Sequence, residues 1–313
     1  MHHPLPVDRL RPVLQAWGLE TADVVAIVPG VTADVFLVMQ DGDRWVAKVN
    51  YEYRDHFEVG LRASPIVHER TAGPGFDVAV PVLTDTGGLT EMVGWPDGND
   101  HPVALLTYVR GDPLTKDEPD AATVIGDVCG RVHRALLDVA PADVALHSIP
   151  SEPDGNYPDR DAGEFGWLHS LWRELEHRCW AVRGDLRHAV SVWDGPDIRR
   201  RPAGLGVLDF GHCGWHPVVH VVANRSLIAS LSDETLMTPF LDAVEQHLPL
   251  TAAEREHLDL HRLRNAAIYA RWVAMEKVAR RAPDSNDLWF GELLDFLRRG
   301  LPLVGMARPG LPS

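Results

Sequence analysis

Two aspartates next to glycines are the residues of this sequence best suited to chemistry on phosphates. Asp209 follows the short apolar run "GLGVL" and precedes Phe210-Gly211, so a carboxylate stands at the end of a predicted strand. Hard oxygen donors in that position suit Mg²⁺ bound to nucleotide phosphates. Asp185 follows Gly184, where a tight turn would let its carboxylate accept the proton of an attacking hydroxyl, or orient it. Each is equally compatible with an ordinary aspartate in a turn or an exposed loop.

Lys48 is a third charged residue with a suitable setting. It lies in "RWVAKV", where apolar neighbours predict a strand that directs the lysine ammonium to one face, as needed to hold nucleotide phosphates. Glu69 follows on a predicted helix, and an ion pair with Glu69 could orient the lysine. Considered singly, Lys48 and Glu69 are better explained as solvent-exposed residues, so their weight depends on the elements around them.

The elements that must position these residues are strands in the first third of the chain. Residues 7–17 predict a short amphipathic helix, and residues 24–49 predict strands broken near Pro29-Gly30 and at the Asp41-Gly42 turn. Apolar spacing in residues 57–73 favours a helix, with Pro65 placing its start nearby. Strand character returns in residues 78–94 and 102–111.

Helices dominate the rest of the sequence. Residues 120–139 place apolar side chains at helical intervals, which predicts a helix facing the core at Ala122, Ile125, Val128, Val132 and Leu136. Residues 151–166 are polar and rich in turn formers, and residues 165–182 and 230–301 have helical character. At 313 residues the chain exceeds the usual size of one hydrophobic core. We therefore expect an α+β chain in two lobes.

The composition narrows the classes of partner. With 30 Lys and Arg against 45 Asp and Glu, the formal net charge is −15, which argues against binding to nucleic acids or anionic membranes. Three cysteines without a C-x-x-C spacing fit a reducing compartment, and no apolar run approaches the roughly 18 residues of a membrane span. We expect a cytoplasmic protein with no nucleic-acid or membrane partner.

The order of these features resembles one enzyme family. A strand lysine, a helix glutamate, the connector "ALLTYVRGDPL", the helix "GRVHRALL", Gly-Asp and Asp-Phe-Gly follow one another as in the aminoglycoside phosphotransferase and homoserine or choline kinase-like family, relatives of the protein kinases. The resemblance runs from about Val25 to Arg280. It implies a two-lobed protein-kinase-like fold: a small antiparallel-sheet lobe at 1–108 that binds nucleotide, and a larger, mainly helical catalytic and substrate-binding lobe at 109–313.

The resemblance also implies roles for individual residues. Lys48 would contact the phosphates of ATP or GTP and Glu69 would hold it, while the backbone of Thr107 and Val109 would meet the base. Asp185 would be the catalytic aspartate and Asp209 would bind Mg²⁺. His133 matches a helix histidine with a structural role. The γ-phosphoryl would pass to a hydroxyl of an aminoglycoside-like antibiotic, of another metabolite, or of a peptide Ser or Thr.

Two departures from the family pattern raise an alternative function. Arg183 replaces the usual histidine and Val190 replaces an asparagine that helps bind metal, and valine offers no ligand oxygen. Ser191 or His188 could compensate, although a shift of one residue on a strand points the side chain to the opposite face. Arg183 could lower the pKa of Asp185 or neutralise phosphate charge, or else form an ion pair that keeps an inactive site folded. The alternative is a pseudokinase that binds a peptide or protein partner as a subunit of a modifying complex.

A separate group of residues raises the question of a zinc site. A spacing of four residues would place side chains on one face of a helix, where they could bind zinc together. Gly214 and Pro217 interrupt such a helix, however, and the segment is equally typical of a buried apolar stretch. The residues are His212, Cys213, His216 and His220.

Overall fold

The chain forms two compact units in this computed structural model. The first comprises residues 1–114, 139–147 and 196–214, and the second comprises residues 115–138, 148–195 and 215–313. The structure describes residues 5–29, 33–51, 54–71, 73, 75–95, 98–147, 166–193, 195–280 and 287–307. Gly30 and nearly all of the predicted loop at 151–166 therefore lie outside the described residues. The division at 108 into a nucleotide-binding and a catalytic lobe stays a prediction.

Two sheets build the first unit. Its strands are β1 (Asp23–Pro29), β2 (Ala33–Gln40), β3 (Asp43–Asn50), β4 (Phe76–Val78), β5 (Pro81–Val82), β6 (Glu91–Gly94), β7 (Asp100–Thr107), β8 (Asp112–Pro113), β10 (Asp197–Arg201) and β11 (Gly204–Leu208). The larger sheet is antiparallel in the order β1-β2-β3-β7-β5, with β6 paired to β7. The smaller sheet has the order β4-β11-β10-β8, with β11 parallel to β4.

The hairpin between β2 and β3 confirms the predicted turn. Asp41 and Gly42 have φ angles of 54° and 92°, and Gln40 pairs with Asp43 across them. A two-residue loop with positive φ at both positions matches the right-handed twist of the flanking strands. This turn fixes the register of β3, and with it the face of the sheet on which Lys48 lies.

Two helices accompany the larger sheet. Helix α1 (Val7–Leu14) buries Leu10 and Leu14 in the same apolar cluster as Phe36 and Ala47 of the sheet. Full burial of each leucine contributes roughly 1.5–3 kcal/mol. Helix α2 (Arg54–Thr71) follows β3.

Helix α2 begins earlier than the sequence predicts. Its first residue is Arg54, and the helix continues through Pro65, near which we placed its start. Proline in a helix interior costs about 3 kcal/mol because it removes one backbone hydrogen bond. Val59, Ala63 and Val67 lie four residues apart on both sides of that proline, and all three are buried. Burial of this continuous apolar stripe outweighs the local preference for a break.

Helices dominate the second unit. They are α3 (Ala121–Leu136), α4 (Gly166–Val182), α5 (Val218–Ser230), α6 (Met237–Glu245), α7 (Ala252–Arg280) and α8 (Asp287–Gly300). The short strand β9 (His188–Val192) pairs with β12 (Cys213–Pro217). All five apolar positions predicted to face the core from α3 are buried, which confirms that helix.

Two glycines allow α3 and α6 to pack with their backbones in contact. A Cβ atom on Gly126 would lie 2.3 Å from the carbonyl oxygen of Phe240, and one on Gly130 would lie 2.6 Å from that of Val244. Real Cβ atoms do not approach an oxygen so closely, so any side chain at these positions would push the helices apart.

The three cysteines are buried and none is in a disulfide. Burial raises the pKa of the Cys129 and Cys179 thiols to about 12, against the weaker lowering effects of nearby arginines. No helix among the described residues is both long enough and apolar enough to cross a membrane.

Candidate functional site

The structure brings Lys48 and Asp209 together in the first unit. Lys48 lies on β3 between Ala47 and Val49, whose side chains are fully buried on the opposite face of the strand. Its side chain is 11% exposed, and Nζ donates a hydrogen bond of 2.6 Å to Oδ1 of Asp209. This ion pair joins two of the predicted site residues across a long stretch of sequence.

The Asp209-Phe210-Gly211 turn has an unusual backbone conformation at its first residue. Asp209 has a φ of 66°, in the left-handed region that residues other than glycine seldom adopt. The backbone N–H of Gly211 donates to Oδ1 of Asp209 over 3.0 Å, which helps to hold this conformation. A Cβ on Gly211 would lie 2.9 Å from that oxygen and 3.1 Å from Nζ of Lys48, so only glycine fits there without displacement.

The surroundings of Asp209 keep its carboxylate ionised. Partial burial raises the pKa of the carboxyl, but the charge of Lys48 and the hydrogen bonds from Lys48 and Gly211 outweigh this effect and hold the pKa below its ordinary value. The side chain is 45% exposed. Among the described residues, its hydrogen bonds all go to Oδ1, so Oδ2 is left for another partner.

Helix α2 packs directly on this turn through Gly60. A Cβ on Gly60 would lie 1.7 Å from the carbonyl oxygen of Phe210, so the two backbones touch. Beside this contact, Lys48 and Asp209 line a cavity of about 20 Å³. That volume suits a single water molecule and not a nucleotide. Sequence reasoning missed Gly60, because nothing in the residues near it marks a close approach to a distant segment.

Glu69 does not reach Lys48. The face of α2 that lines the cavity carries Phe57, Gly60, Leu61 and Ser64. Glu69 is five residues beyond Ser64, which rotates it about 140° around the helix axis, and its side chain is exposed. The predicted ion pair with Lys48 is therefore not formed in this structure, where the lysine pairs with Asp209.

Thr107 and Val109, the residues predicted to meet the nucleotide base, differ in whether their backbone groups already have hydrogen-bond partners. The backbone N–H of Thr107 donates to the carbonyl of Val80, and its hydroxyl accepts from the N–H of Val80. Val109 is buried, and a Cβ on Gly206 would lie 2.3 Å from Val109 Cγ1. Within the described residues the backbone of Val109 takes part in no backbone hydrogen bond. Val109 therefore has backbone groups available for a ligand, whereas the N–H of Thr107 is already committed.

Asp185 and Arg183 lie in the second unit, in a single 3₁₀ turn. The turn is closed by the Leu186 N–H, which donates to the Arg183 carbonyl over 3.2 Å, and the Asp185 side chain is exposed. The guanidinium of Arg183 lies 3.5 Å from the centre of the Trp180 ring. Among the described residues Arg183 forms no ion pair with Asp185, so its charge is held over an aromatic face.

Ser191 and His188 differ in whether they could bind metal in place of the missing asparagine. Val190 and Ser191 are buried in β9, at 0% and 1% exposure. His188 is half-buried, and its Nδ1 bonds the Leu186 carbonyl over 3.1 Å, which leaves Nε2 as a possible acceptor. Desolvation lowers the pKa of His188, against the raising effect of that hydrogen bond. His188 is the better placed of the two candidates. It lies two residues before Val190 on β9, and side chains two residues apart on a strand share a face.

The contacts of His133 and His220 are structural. Nδ1 of His133 bonds the carbonyl of Cys129 over 2.8 Å within α3, and burial lowers the pKa of His133 to about 4. His216 lies on β12 and His220 on α5, so the helical face expected for zinc does not exist. Nε2 of His220 instead accepts a hydrogen bond from the Trp193 indole over 2.6 Å. The described residues contain no group of three or more His, Cys, Asp or Glu side chains arranged to hold a metal ion.

Sequence reasoning also missed Arg187, two residues after Asp185. Its guanidinium forms an ion pair with Glu254 at the start of α7. The signal for Glu254 was present in "LPLTAAE", since Thr-x-x-Glu before a helix predicts a capping box. No local pattern indicates that Arg187 is its partner.

Comparison with known proteins identifies the fold. No protein-family model matches the chain, and no curated protein sequence matches it. A microcompartment-associated aminopropanol kinase superimposes with a TM-score of 0.68 at 14% identity, covering 94% of each chain. An amicoumacin kinase solved with AMP-PNP, Ca²⁺ and Ami gives 0.61 at 13% identity over 88% of each chain. A spectinomycin phosphotransferase solved with ADP and spectinomycin gives 0.57 at 11% identity over 95% of each chain.

The chain therefore has a protein-kinase-like fold. This confirms the α+β fold class expected from the sequence, with antiparallel strands in one unit and mainly helices in the other. At these sequence identities, the likeness establishes the fold alone.

Proposed function

We propose that this chain is a phosphotransferase that moves the γ-phosphoryl group of ATP or GTP to a hydroxyl of a small molecule. The observation that carries the proposal is the ion pair of 2.6 Å between Lys48 and Asp209, with Asp209 in the left-handed conformation, within a kinase-like fold. A cation that can meet phosphates and an ionised carboxylate that can meet a metal are the two charges such a reaction needs most.

The small-molecule acceptor is favoured over a peptide by the proteins that share the fold. Aminopropanol kinase, amicoumacin kinase and spectinomycin phosphotransferase are named for small molecules, and the last two were solved with AMP-PNP or ADP. These likenesses support an aminoglycoside-like compound or another hydroxylated metabolite as the acceptor class.

Asp209 fits a hard divalent cation such as Mg²⁺. Its carboxylate is ionised and 45% exposed, and its Oδ2 makes no hydrogen bond within the described residues. When bound there, Mg²⁺ would neutralise charge on the nucleotide phosphates. Lys48 would exchange part of its interaction with Asp209 for the same phosphates.

The proposal gives the remaining predicted residues the following roles. Asp185 would orient the acceptor hydroxyl and take its proton from an exposed turn. Arg183, stacked on Trp180, would add positive charge near the transferred group. The backbone of Val109, next to Thr107, would meet the nucleotide base. Glu69 would reach Lys48 only after a rotation of α2 about its own axis.

A pseudokinase that binds a peptide or protein partner is the second candidate. Val190 is completely buried, so the position that would bring a second metal-binding oxygen offers only methyl groups. A site with a single metal-binding carboxylate can retain nucleotide and lose turnover. In that case the chain would bind a partner and would not act as a catalyst.

Nucleotide binding is tested by thermal shift. Mg²⁺-ATP and Mg²⁺-GTP are titrated into the wild type and into Asp209→Asn, with Asp138→Asn as a control at an exposed aspartate of the second unit. A ligand that binds only the folded state must raise the melting temperature. We expect a rise in the wild type and in Asp138→Asn that is lost in Asp209→Asn. Absence of any rise with both nucleotides would contradict the proposal.

Turnover is tested separately by mass spectrometry of candidate acceptors. Aminoglycosides, amino alcohols and a Ser/Thr peptide are incubated with the nucleotide that binds. We expect a product heavier by one phosphoryl group from a small molecule, and its loss in Asp185→Asn. Nucleotide binding without any product from these acceptors would favour the pseudokinase.

A further inference from the structure

Arg187 ties the Asp185 turn to the start of α7. Its Nε lies 2.9 Å from Oε1 of Glu254 and its Nη2 lies 2.6 Å from Oε2, a bidentate pair. Nη2 also donates to the carbonyl of Pro249 over 2.8 Å. Glu254 is 0% exposed. A two-point contact between a planar guanidinium and a buried carboxylate fixes orientation as well as distance.

Glu254 is itself held in place by the first turn of α7. The backbone N–H of Thr251 donates to Oε2 of Glu254 over 2.8 Å, and the hydroxyl of Thr251 accepts from the N–H of Glu254 over 3.2 Å. This reciprocal capping box leaves the carboxylate little freedom. Hydrogen bonding to Glu254 and the charge of Glu254 raise the pKa of Arg187, so the pair stays charged.

The backbone near Arg187 is anchored as well. Its carbonyl accepts from the N–H of Val218, the first residue of α5, over 2.8 Å, and the preceding Leu186 is buried. Asp185 is exposed, and the position of a Cβ on Gly184 has no atom within 4 Å. The direction of the Asp185 carboxylate therefore depends on the anchored residues that follow it.

We propose that Arg187 and Glu254 are positioning residues that fix the Asp185 turn for the acceptor hydroxyl. The inference rests on the proposed function, in which Asp185 orients that hydroxyl. If this is so, loss of the Arg187–Glu254 pair lowers kcat for phosphoryl transfer. Nucleotide binding is unaffected, because it depends on Lys48 and Asp209 in the first unit.

The test compares Arg187→Lys with Arg255→Lys. Arg255 is a matched control because it follows Glu254 directly on α7 and forms a similar pair with Glu245 of α6. Its Nε lies 2.9 Å from Oε1 of Glu245. Arg187→Lys keeps the charge and loses the planar two-point contact. We expect kcat to fall at least tenfold in Arg187→Lys, with the KM for nucleotide changed less than twofold. Arg255→Lys should stay within twofold of the wild type in both quantities.

A second variant separates positioning from stability. Arg187→Met combined with Glu254→Gln removes the ion pair, while the glutamine oxygen can still accept from the Thr251 N–H and keep the capping box of α7. We expect this variant to keep its melting temperature within a few degrees and to show the same fall in kcat. Wild-type kcat in the folded double variant would overturn the inference.

Hydrogen exchange makes the test independent of turnover. The backbone amides of residues 184–188 are followed in the wild type, Arg187→Lys and Arg255→Lys. We expect exchange there at least tenfold faster in Arg187→Lys alone. If the wild type transfers no phosphoryl group, the proposed function fails, and this measurement still decides the role of the pair: unchanged exchange in Arg187→Lys would overturn it.

Discussion

The Lys48–Asp209 contact decides the charge of the candidate metal-binding carboxylate. Substitution Lys48→Met keeps most of the apolar stem and removes the ammonium, which supplies both a Coulomb attraction and a hydrogen bond to Asp209. We expect the pKa of the Asp209 carboxyl to rise, since partial burial then acts against a weaker opposing effect. Carboxyl ¹³C NMR over a pH titration measures this. The exposed Lys116→Met serves as the control, and an Asp209 pKa equal in the two variants would contradict the expectation.

At the same scale, the sequence identifies a functional residue when its neighbours in sequence determine its surroundings. It misses a residue whose partner is far away in sequence. Asp209 is recognisable in the sequence because an apolar strand precedes it and a glycine follows two residues later. Glu69 looked suitable because its residue type was right, yet the helical phase turns it away from Lys48. Arg187 carried no signal, because its partner Glu254 lies at the start of another helix.

At the scale of elements, helix α2 and the Asp209-Phe210-Gly211 turn depend on one glycine. Gly60→Ala places a methyl group at 1.7 Å from the Phe210 carbonyl oxygen, so either the helix or the turn must move. We expect the free energy of unfolding to fall by about 1–3 kcal/mol, the usual cost of overpacking, and the nucleotide affinity to fall with it. Urea unfolding and nucleotide titration measure both quantities.

Gly291→Ala on α8 is the matched control for that substitution. A Cβ on Gly291 would have no atom within 4 Å, so alanine fits there without a clash. Alanine also loses less backbone conformational entropy than glycine when the helix forms. We expect it to stabilise the protein by roughly 0.5–1 kcal/mol. If Gly60→Ala were as harmless as Gly291→Ala, the contact between α2 and the turn would not be a packing constraint.

The elements themselves were largely predictable from their patterns. The β2–β3 hairpin followed from Asp41-Gly42, and α3 followed from its apolar spacing. The start of α2 was not predictable from Pro65, because long-range burial of the helix overrides a local break signal. Pairing between β4 and β11, which are distant in sequence, has no local signal at all.

At the scale of the whole molecule, buried neutral histidines make stability depend on pH. The pKa of His133 is lowered to about 4 and that of His261 to about 3, in both cases chiefly by burial. Arg264 and His257 on α7 and His188 on β9 add to the effect at His261. A depressed pKa in the folded state means that stability is complete above about pH 6.5 and is lost as the pH falls towards the folded values.

The size of the effect follows from these values. Between pH 7.5 and pH 5, each of the two histidines should cost about 2 kcal/mol of unfolding free energy, from 1.36 kcal/mol per pH unit below pH 6.5. Urea unfolding at the two pH values measures this. His261→Asn should reduce the dependence and the exposed His68→Asn should leave it unchanged. Equal pH dependence in His261→Asn and the wild type would show that His261 is not a source of it.

The three buried cysteines have a practical consequence for site-specific labelling of the protein. Because all three thiols are shielded and those of Cys129 and Cys179 stay protonated at neutral pH, maleimide dyes will react with them slowly. New cysteines at exposed positions, one on each unit, would therefore take up a donor and an acceptor fluorophore with little competition. The native sequence therefore suits fluorescence energy transfer measurements with and without nucleotide.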